Sequence, residues 1–467
     1  MQHFLKKTHH ARFFLASSLI LTSIILLSSP DSEAMPSFSR QTGEACNVCH
    51  TQSFGPNLTP FGRDFKLGGY TMGGGKGIAA KLPALSGMVM GSFTNTAKDQ
   101  NPADLNSAYN AGYNKNNNFS FDQASLFYAG RVYGKVGALS QLTYDGSSDR
   151  LKMDNTDIRF ADRLDLDDTS LPFDLDFTYG ISLNNNPTVQ DLWNTTPAWG
   201  FPYNKSAVQP GVGASTLIDG ALGAQVGGAT AYTMINDLLY LEAGAYGSFG
   251  SNTQNAFGFA WADRFSLSGP APYWRVALQQ NWKGHYFELG HYGMSADVVP
   301  GRDTINGSNH YTDVAVDATY QYMANPKHIF EAKTTYIYED QNLSASQQGT
   351  PFNSNANTYL TTFKINTAYT FDQTYGVTFA YNRTTGSTEP ALYSGYTDGL
   401  NVTGLNRPNS QLYTAELVYV PFGKDSSYLY LMNLRTSLQY IGYSQANGSS
   451  AGAQTNNTFM VNGWLAF

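Results

Sequence analysis

Charged residues are scarce in this sequence of 467 residues, because Asp, Glu, Lys and Arg together make up only 13%. The formal net charge is −7 at pH 7 with histidine counted as neutral. A chain with a net negative charge is repelled by the phosphate backbone of nucleic acids. We therefore expect no nucleic-acid partner.

Long apolar runs are also scarce, and the mean hydropathy is −0.32. The one long run covers residues 13–27, after the basic residues Lys6, Lys7 and Arg12. It is shorter than the roughly 20 residues that a transmembrane helix needs. A basic start, an apolar run and a small residue such as Ala34 are typical of a secretory signal peptide. We predict a signal peptide over residues 1–34 and no helical membrane domain.

The chain has only two cysteines, Cys46 and Cys49, and His50 follows the second directly. This C-x-x-C-H spacing is typical of a c-type haem attachment site. Each thiol adds to one vinyl group of the porphyrin, and the histidine becomes the proximal ligand of the iron. A redox-active cysteine pair is the alternative, whereas a zinc site would need two more good ligands. We predict one covalently bound haem c, held by Cys46, Cys49 and His50.

The segment around this motif, residues 35–80, is short for a free-standing domain. A chain below about 40–60 residues rarely builds a core alone, so we expect the haem to borrow walls from the rest of the protein. Met72 follows Gly68 and Gly69 and is our candidate for the distal iron ligand, since His/Met ligation is common in cytochromes c. Ordinary packing is the simpler role for any methionine, and the rival methionines are Met35, Met88 and Met90.

Residues 81–467 have a strand-and-turn composition, since the whole chain contains 31 Tyr, 28 Phe and 45 Gly. Segments of about ten residues alternate apolar and polar side chains between turn residues, a pattern typical of a transmembrane β-barrel. We count about sixteen strands. They lie near 83–96, 119–133, 136–145, 153–163, 173–184, 217–234, 238–249, 272–282, 284–294, 309–323, 328–340, 357–371, 374–384, 410–421, 428–443 and 457–467.

The stretch 312–322 illustrates the alternation. Val314, Val316 and Tyr320 fall on one face, and Asp313 and Asp317 fall on the other, because successive side chains of a strand point to opposite faces. The apolar face would meet lipid in a membrane barrel. It would point inward in a soluble β-sandwich, and periodicity alone leaves both open.

The connections favour the barrel, because short turns alternate with long polar loops, as in outer-membrane proteins. One link, 146–152, is short where a long loop is expected. The chain ends on an aromatic residue, Phe467, as outer-membrane barrels often do. The loop 184–211 is unusually apolar and contains Trp193 and Trp199. It is predicted either to fold into the lumen, narrowing it or covering the haem, or to form a compact surface loop.

The haem segment resembles a known family. PSFSRQTG before the C-x-x-C-H motif, LTPFGRDFKLGGY after it and the loop NNNPTVQDLWNTTPAWGFPY look like the fused outer-membrane monohaem cytochrome c–porins of iron-oxidising bacteria. This resemblance implies an all-β fold: a transmembrane antiparallel barrel of about sixteen strands whose lumen is plugged by a small N-terminal cytochrome segment. The domains would be residues 1–34 (signal peptide), 35–80 (cytochrome) and 81–467 (porin-like barrel).

The resemblance also implies a function in the outer membrane. The chain would oxidise extracellular Fe(II) at its haem and pass the electron to a periplasmic c-type cytochrome, an iron(II):cytochrome c oxidoreductase-type activity. Its termini and short turns would be periplasmic and its long loops extracellular. The alternatives are a conduit that exports electrons and a haem-capped solute porin. Asp191 and Asp398 are candidates to attract Fe(II), although solvated loop charge is the simpler interpretation.

Overall fold

The computed structural model describes residues 36–76, 79–100, 112–166, 175–261, 264–349, 356–393, 405–424 and 432–467. The predicted signal peptide and Met35 lie outside the described residues. Within these ranges, no helix is long and apolar enough to cross a membrane.

The described chain contains sixteen β-strands and several short helices. The strands are β1 (Leu85–Thr96), β2 (Asn118–Tyr133), β3 (Val136–Asp145), β4 (Arg150–Leu166), β5 (Leu175–Asn184), β6 (Val226–Ile235), β7 (Leu239–Ser248), β8 (Ala271–Trp282), β9 (His285–Val298), β10 (Asn309–Tyr322), β11 (His328–Asn342), β12 (Asn357–Phe371), β13 (Tyr375–Gly386), β14 (Ser410–Tyr419), β15 (Asn433–Gln445) and β16 (Thr458–Ala466). The α-helices are α1 (Pro36–Thr42), α2 (Cys46–Cys49), α3 (Pro60–Leu67), α4 (Ser251–Ala256), α5 (Ser344–Gly349) and α6 (Pro390–Tyr393). Single turns of other helix types cover Ala79–Lys81, Pro197–Trp199, Leu217–Ala221, Pro300–Arg302 and Ala453–Asn456.

The strands close into one antiparallel barrel in which each strand pairs with its neighbours in sequence. Closure is made by β1, where Met88 lies opposite Ser125 of β2 and Ala466 of β16. The backbone N–H of Gly87 donates to the carbonyl of Phe467 at 2.6 Å and extends this seam. A closed barrel leaves no unpaired sheet edge. The predicted antiparallel barrel of about sixteen strands is confirmed.

The two faces of the wall are the reverse of those in a soluble sandwich. On β10, Asp313 and Asp317 are 1% and 2% exposed, whereas Val314 and Val316 are 41% and 49% exposed. The polar face therefore points into the barrel and the apolar face points out. The assignment of faces from the alternation is confirmed, and the soluble β-sandwich is wrong for this chain.

The outer surface is a band of aliphatic and aromatic side chains. Exposed apolar residues in the middle of strands include Leu126, Ile181, Leu289, Val316 and Leu438. Exposed aromatic residues lie near both ends of the strands, namely Tyr133, Trp282, Tyr375 and Tyr419 at one end and Phe119, Tyr359 and Phe459 at the other. An apolar band flanked by two aromatic girdles is the surface that matches a lipid bilayer.

The connections differ at the two ends of the barrel, as predicted. Two-residue turns such as Asn236-Asp237 have positive φ at both central residues, 51° and 51°. This conformation suits the right-handed twist of a hairpin, and asparagine and aspartate tolerate it well. Most long connections occupy the opposite end; the exceptions are the short link 146–149 at that end and the longer link 420–432 at the short-turn end. Ala466, the last residue of β16, lies at the end of the barrel that carries the short turns.

One predicted strand begins too early. Residues 217–225 were expected to continue into β6, but β6 starts at Val226 and Leu217–Ala221 form a helical turn. The backbone N–H of Ile218 donates to Asp313 Oδ2 at 2.6 Å, and that of Leu217 donates to Glu339. These carboxylates come from strands about a hundred residues away in sequence, so local alternation could not reveal the bonds.

Candidate functional site

The N-terminal segment, residues 36–76, lies inside the barrel. Arg63 Nη1 donates to Gln321 Oε1 of β10 at 2.9 Å, and Tyr70 Oη donates to Asp157 Oδ2 of β4 at 2.7 Å. On another side, Asn433 Nδ2 of β15 donates to the carbonyl of Ser53 at 2.8 Å. Strands β4, β10 and β15 are spread around the closed wall. A segment that contacts all three occupies the lumen.

The C-x-x-C-H motif forms a single helical turn and its exit. Helix α2 spans Cys46 to Cys49, and the backbone N–H of His50 donates to the carbonyl of Cys46 at 2.8 Å. Both thiols are free of disulfides. This turn brings the two thiols and the imidazole to the wall of one cavity. The three residues predicted from the motif therefore meet at one place.

The imidazole of His50 is oriented by a hydrogen bond. Its Nδ1 lies 3.1 Å from the carbonyl oxygen of Asn57, which leaves Nε2 as the nitrogen that can bind a metal. Burial lowers the pKa of His50 to about 4, with an opposing contribution from the hydrogen bond to Asn57. A low pKa keeps the imidazole neutral in mild acid, the form that ligates iron.

The cavity beside the motif has a volume of about 330 Å³. Its wall is shared by the N-terminal segment, five barrel strands and a loop. The apolar residues that line it are Phe38, Phe54, Leu58, Phe65, Met88, Met90, Phe127, Leu139, Trp199 and Trp464. Strands β1, β2, β3, β4 and β16 all contribute side chains to this wall. A largely apolar wall with two thiols and one imidazole suits the chemistry of a porphyrin.

The loop after β5 folds inward and completes this wall. We call residues 185–225 the inward loop, and its first part, 185–196, is entirely buried. Trp193 Nε1 donates to Tyr286 Oη of β9 at 2.5 Å. Trp199 and Tyr203 line the cavity. The compact surface loop is therefore wrong, and the inward alternative is confirmed.

Asp191 anchors the inward loop to the wall. Its carboxylate accepts the backbone N–H groups of Trp193 and Thr195 at 3.1 and 2.9 Å and lies 3.2 Å from Arg275 Nη2. The side chain is 0% exposed. Both interpretations of Asp191, attraction of external Fe(II) and solvated loop charge, are wrong, because this carboxylate is buried and paired. Asp398 lies outside the described residues.

Lys66 links helix α3 to the inward loop. Its Nζ donates to the carbonyls of Val189 and Asp191 at 2.9 and 2.5 Å and to Asn194 Oδ1 at 2.9 Å. Burial, together with the nearby positive charge of Arg159, lowers the pKa of Lys66 to about 7. These contacts hold the two elements that form one side of the cavity.

Several charged side chains inside the barrel form ion pairs with one another. Examples are Arg159 with Asp157 at 2.7 Å, Arg275 with Asp317 at 2.8 Å and Arg435 with Glu416 at 2.7 Å. Sequence reasoning placed Asp317 on a polar face but did not find its partner, Arg275. The described residues contain no group of three or more His, Cys, Asp or Glu side chains that could hold a metal ion.

Met72 is not part of the cavity wall. Its side chain is 39% exposed, and its backbone carbonyl accepts from Gln41 Nε2 at 2.8 Å. Met88 and Met90 are both 6% exposed and both line the cavity. Cys46, Cys49 and His50 therefore line one cavity, whereas Met72, the predicted distal ligand, lies outside it.

No protein-family model and no curated protein matches this chain. Among solved structures, it is similar to the outer membrane channel DcaP of Acinetobacter baumannii (10% identity, 82% of this chain and 96% of that chain covered, TM-score 0.44). It is also similar to Salmonella typhi OmpF in complex with daunomycin (14%, 82% and 97%, 0.44) and to Pseudomonas putida OprB (13%, 82% and 94%, 0.43). Similarity at this level leaves the function to be argued from the residues of this chain.

Proposed function

We propose that this chain is an outer-membrane electron conduit that oxidises extracellular Fe(II) at a c-type haem and passes the electron to a periplasmic c-type cytochrome. This is an iron(II):cytochrome c oxidoreductase-type reaction. The observation that carries the proposal is the cavity of about 330 Å³, where Cys46, Cys49 and His50 meet an apolar wall.

The outer surface supports a place in a membrane. Side chains such as Leu289 and Leu417, 62% and 57% exposed, would face water unfavourably over the whole circumference of a soluble barrel. In the proposed orientation, the termini and short turns are periplasmic and the long loops are extracellular. The short-turn end then carries Ala466 and much of the cavity wall.

The residues at the cavity fit a covalent haem c. Cys46 and Cys49 would hold it by two thioether bonds, and His50 would be the proximal ligand through Nε2. The aromatic walls exclude water, and a buried apolar surrounding together with axial ligation sets the reduction potential. When bound, the haem supplies reversible one-electron chemistry. The hydrogen bond from His50 to Asn57 fixes the plane of the imidazole.

The packed lumen argues against the haem-capped solute porin. The N-terminal segment and the inward loop both cross the barrel interior and are tied to it by buried contacts, such as those of Lys66 and Asp191. A solute path would have to break several of these contacts. In the proposed function, iron does not pass through the lumen, and only the electron crosses the outer membrane.

The haem component is tested by the double substitution Cys46→Ala/Cys49→Ala. We expect covalent haem, detected on denaturing gels, to be present in the wild-type protein and absent from the variant. A variant of the same barrel with Ser148→Ala, at a position that does not line the cavity, is the control and keeps its haem. Haem retained covalently in the double variant would overturn the assignment of the motif.

The direction of electron flow is tested by rapid mixing of purified, oxidised protein with Fe(II), together with a redox titration of the same sample. Fast reduction with a high midpoint potential is expected. No reduction and a low potential would instead favour electron export. Uptake of sugars or ions into liposomes that contain the protein would favour the capped porin.

A further inference from the structure

We propose that Met90, on the first barrel strand, is the distal ligand of the haem iron, in place of the methionine nearest the motif in sequence. The inference rests on the proposed function only in requiring that haem is bound. It concerns which part of the chain supplies the second axial ligand, and it leaves the direction of electron flow open.

Met72 is poorly placed for this role. Its side chain is 39% exposed, and it is not among the residues that line the cavity. The backbone on either side is held away from the cavity. The carbonyl of Thr71 accepts from Arg131 Nε at 2.9 Å, and the carbonyl of Met72 accepts from Gln41. A change of backbone path would be needed to bring its sulfur to the iron.

Met88 lines the cavity, but its sulfur is already engaged. Trp464 Nε1 lies 3.1 Å from Met88 Sδ and donates to it. Phe54 packs edge-on against the Trp464 ring, with 4.8 Å between the two ring centroids. Ligation by Met88 would leave the indole N–H without this acceptor in an apolar setting, which is unfavourable.

Met90 combines the required features. It is 6% exposed, it lies one inward position further along β1 than Met88, and it lines the same cavity as His50. Among the described residues, no hydrogen-bond donor occupies its sulfur. A thioether on a flexible side chain, enclosed by apolar neighbours such as Phe127, is free to bind iron.

Three other possible ligands on the cavity wall are committed elsewhere. Lys66 Nζ has three acceptors in the inward loop, Tyr70 Oη donates to Asp157, and Tyr203 Oη donates to Asn57 Oδ1 at 2.6 Å. No second histidine of the described chain lines the cavity. Of the two thioethers that line the cavity, Met90 is the one whose recruitment breaks no observed bond.

The test uses oxidised, purified holoprotein and the weak far-red charge-transfer band of methionine-ligated ferric haem. We expect the band in the wild-type protein. It should be lost in Met90→Leu and kept in the matched variants Met72→Leu and Met88→Leu, which make the same volume-conserving change. The midpoint potential should fall in Met90→Leu alone, because a methionine ligand raises it. In Met90→His, the spectrum should be that of two nitrogen ligands.

Each outcome has a defined meaning. A band that survives in Met90→Leu, or that disappears in Met72→Leu or Met88→Leu, would overturn the inference. So would a wild-type holoprotein that carries covalent haem but shows no band. If Met90 variants do not fold, a double variant Met72→Leu/Met88→Leu that keeps the band supports Met90, and one that loses it excludes Met90. Absence of covalent haem from the wild-type protein would instead refute the proposed function itself.

Discussion

The outer face and the lumen of this barrel are built on opposite principles. Outside, apolar side chains such as Leu289 and Leu417 are more than half exposed. Inside, charged residues are buried and each ion pair has a defined geometry, as for Arg275 with Asp317 at 2.8 Å. The outer face therefore depends on the bulk chemistry of its surroundings, whereas the lumen depends on specific partners.

This difference indicates which face of the barrel tolerates amino-acid substitution. An apolar surface in lipid accepts many apolar residues, because it has no directional contacts to lose. Removing one member of a buried ion pair strongly destabilises the folded protein, because an uncompensated charge remains buried. The same type of substitution should therefore have different consequences on the two faces.

The largest effect is expected for Arg275→Met in the lumen. This change leaves the buried carboxylates of Asp191, Glu288 and Asp317 without their cation. Breaking a buried pair in this way costs about 3–5 kcal/mol. Equilibrium unfolding in denaturant, in lipid vesicles, measures the loss. The matched change Arg383→Met, at an exposed position of β13, should alter stability by less than about 0.5 kcal/mol. Equal losses of stability in the two variants would contradict the proposed difference between the lumen and the outer face.

A smaller loss is expected for Val316→Arg on the outer face. Val316 is 49% exposed and lies midway along β10. An arginine at the midplane of the bilayer costs about 2–4 kcal/mol. The same unfolding assay applies, with Ile305→Arg as control, because Ile305 is an 89% exposed aliphatic residue outside the strands. A stable Val316→Arg protein would argue that this face does not meet lipid.

The smallest effect is expected for Asn433→Ala, which tests how the N-terminal segment is held. Asn433 Nδ2 donates to the carbonyl of Ser53 and lies 3.3 Å from Cys46 Sγ. We expect a global loss of about 1 kcal/mol and faster proteolysis of the N-terminal segment. Asn462→Ala removes contacts between strands only. It should not speed proteolysis there, and a similar increase in both variants would rule out a specific clamp.

The barrel was predictable because its signal is local. The alternation of Val314 and Val316 with Asp313 and Asp317 identifies both faces of β10, and positive-φ turns such as Asn236-Asp237 mark the hairpins. The start of β6 was not predictable, because Ile218 is held by a carboxylate on a distant strand. Alternation describes one strand at a time and carries no information about contacts across the lumen.

The candidate site likewise has one part that local sequence predicts and another that depends on the fold. Cys46, Cys49 and His50 are adjacent in sequence, so their spacing alone indicates their common role. Met90 is remote from the motif in sequence and reaches the cavity only because β1 forms part of its wall. The nearer Met72 was the natural choice from sequence, but proximity along the chain does not determine which sulfur faces the cavity.

The burial of Cys46 bears on how the protein is assembled. Its side chain is 1% exposed and is enclosed by the wall at Asn433. A thiol in that position is out of reach of any other protein once the wall has closed. Under the proposed function, the thioether bond to Cys46 must therefore form while the chain is still open in the periplasm. Cofactor attachment would then precede insertion, and a haem-free chain would reach the membrane with its attachment site already sealed.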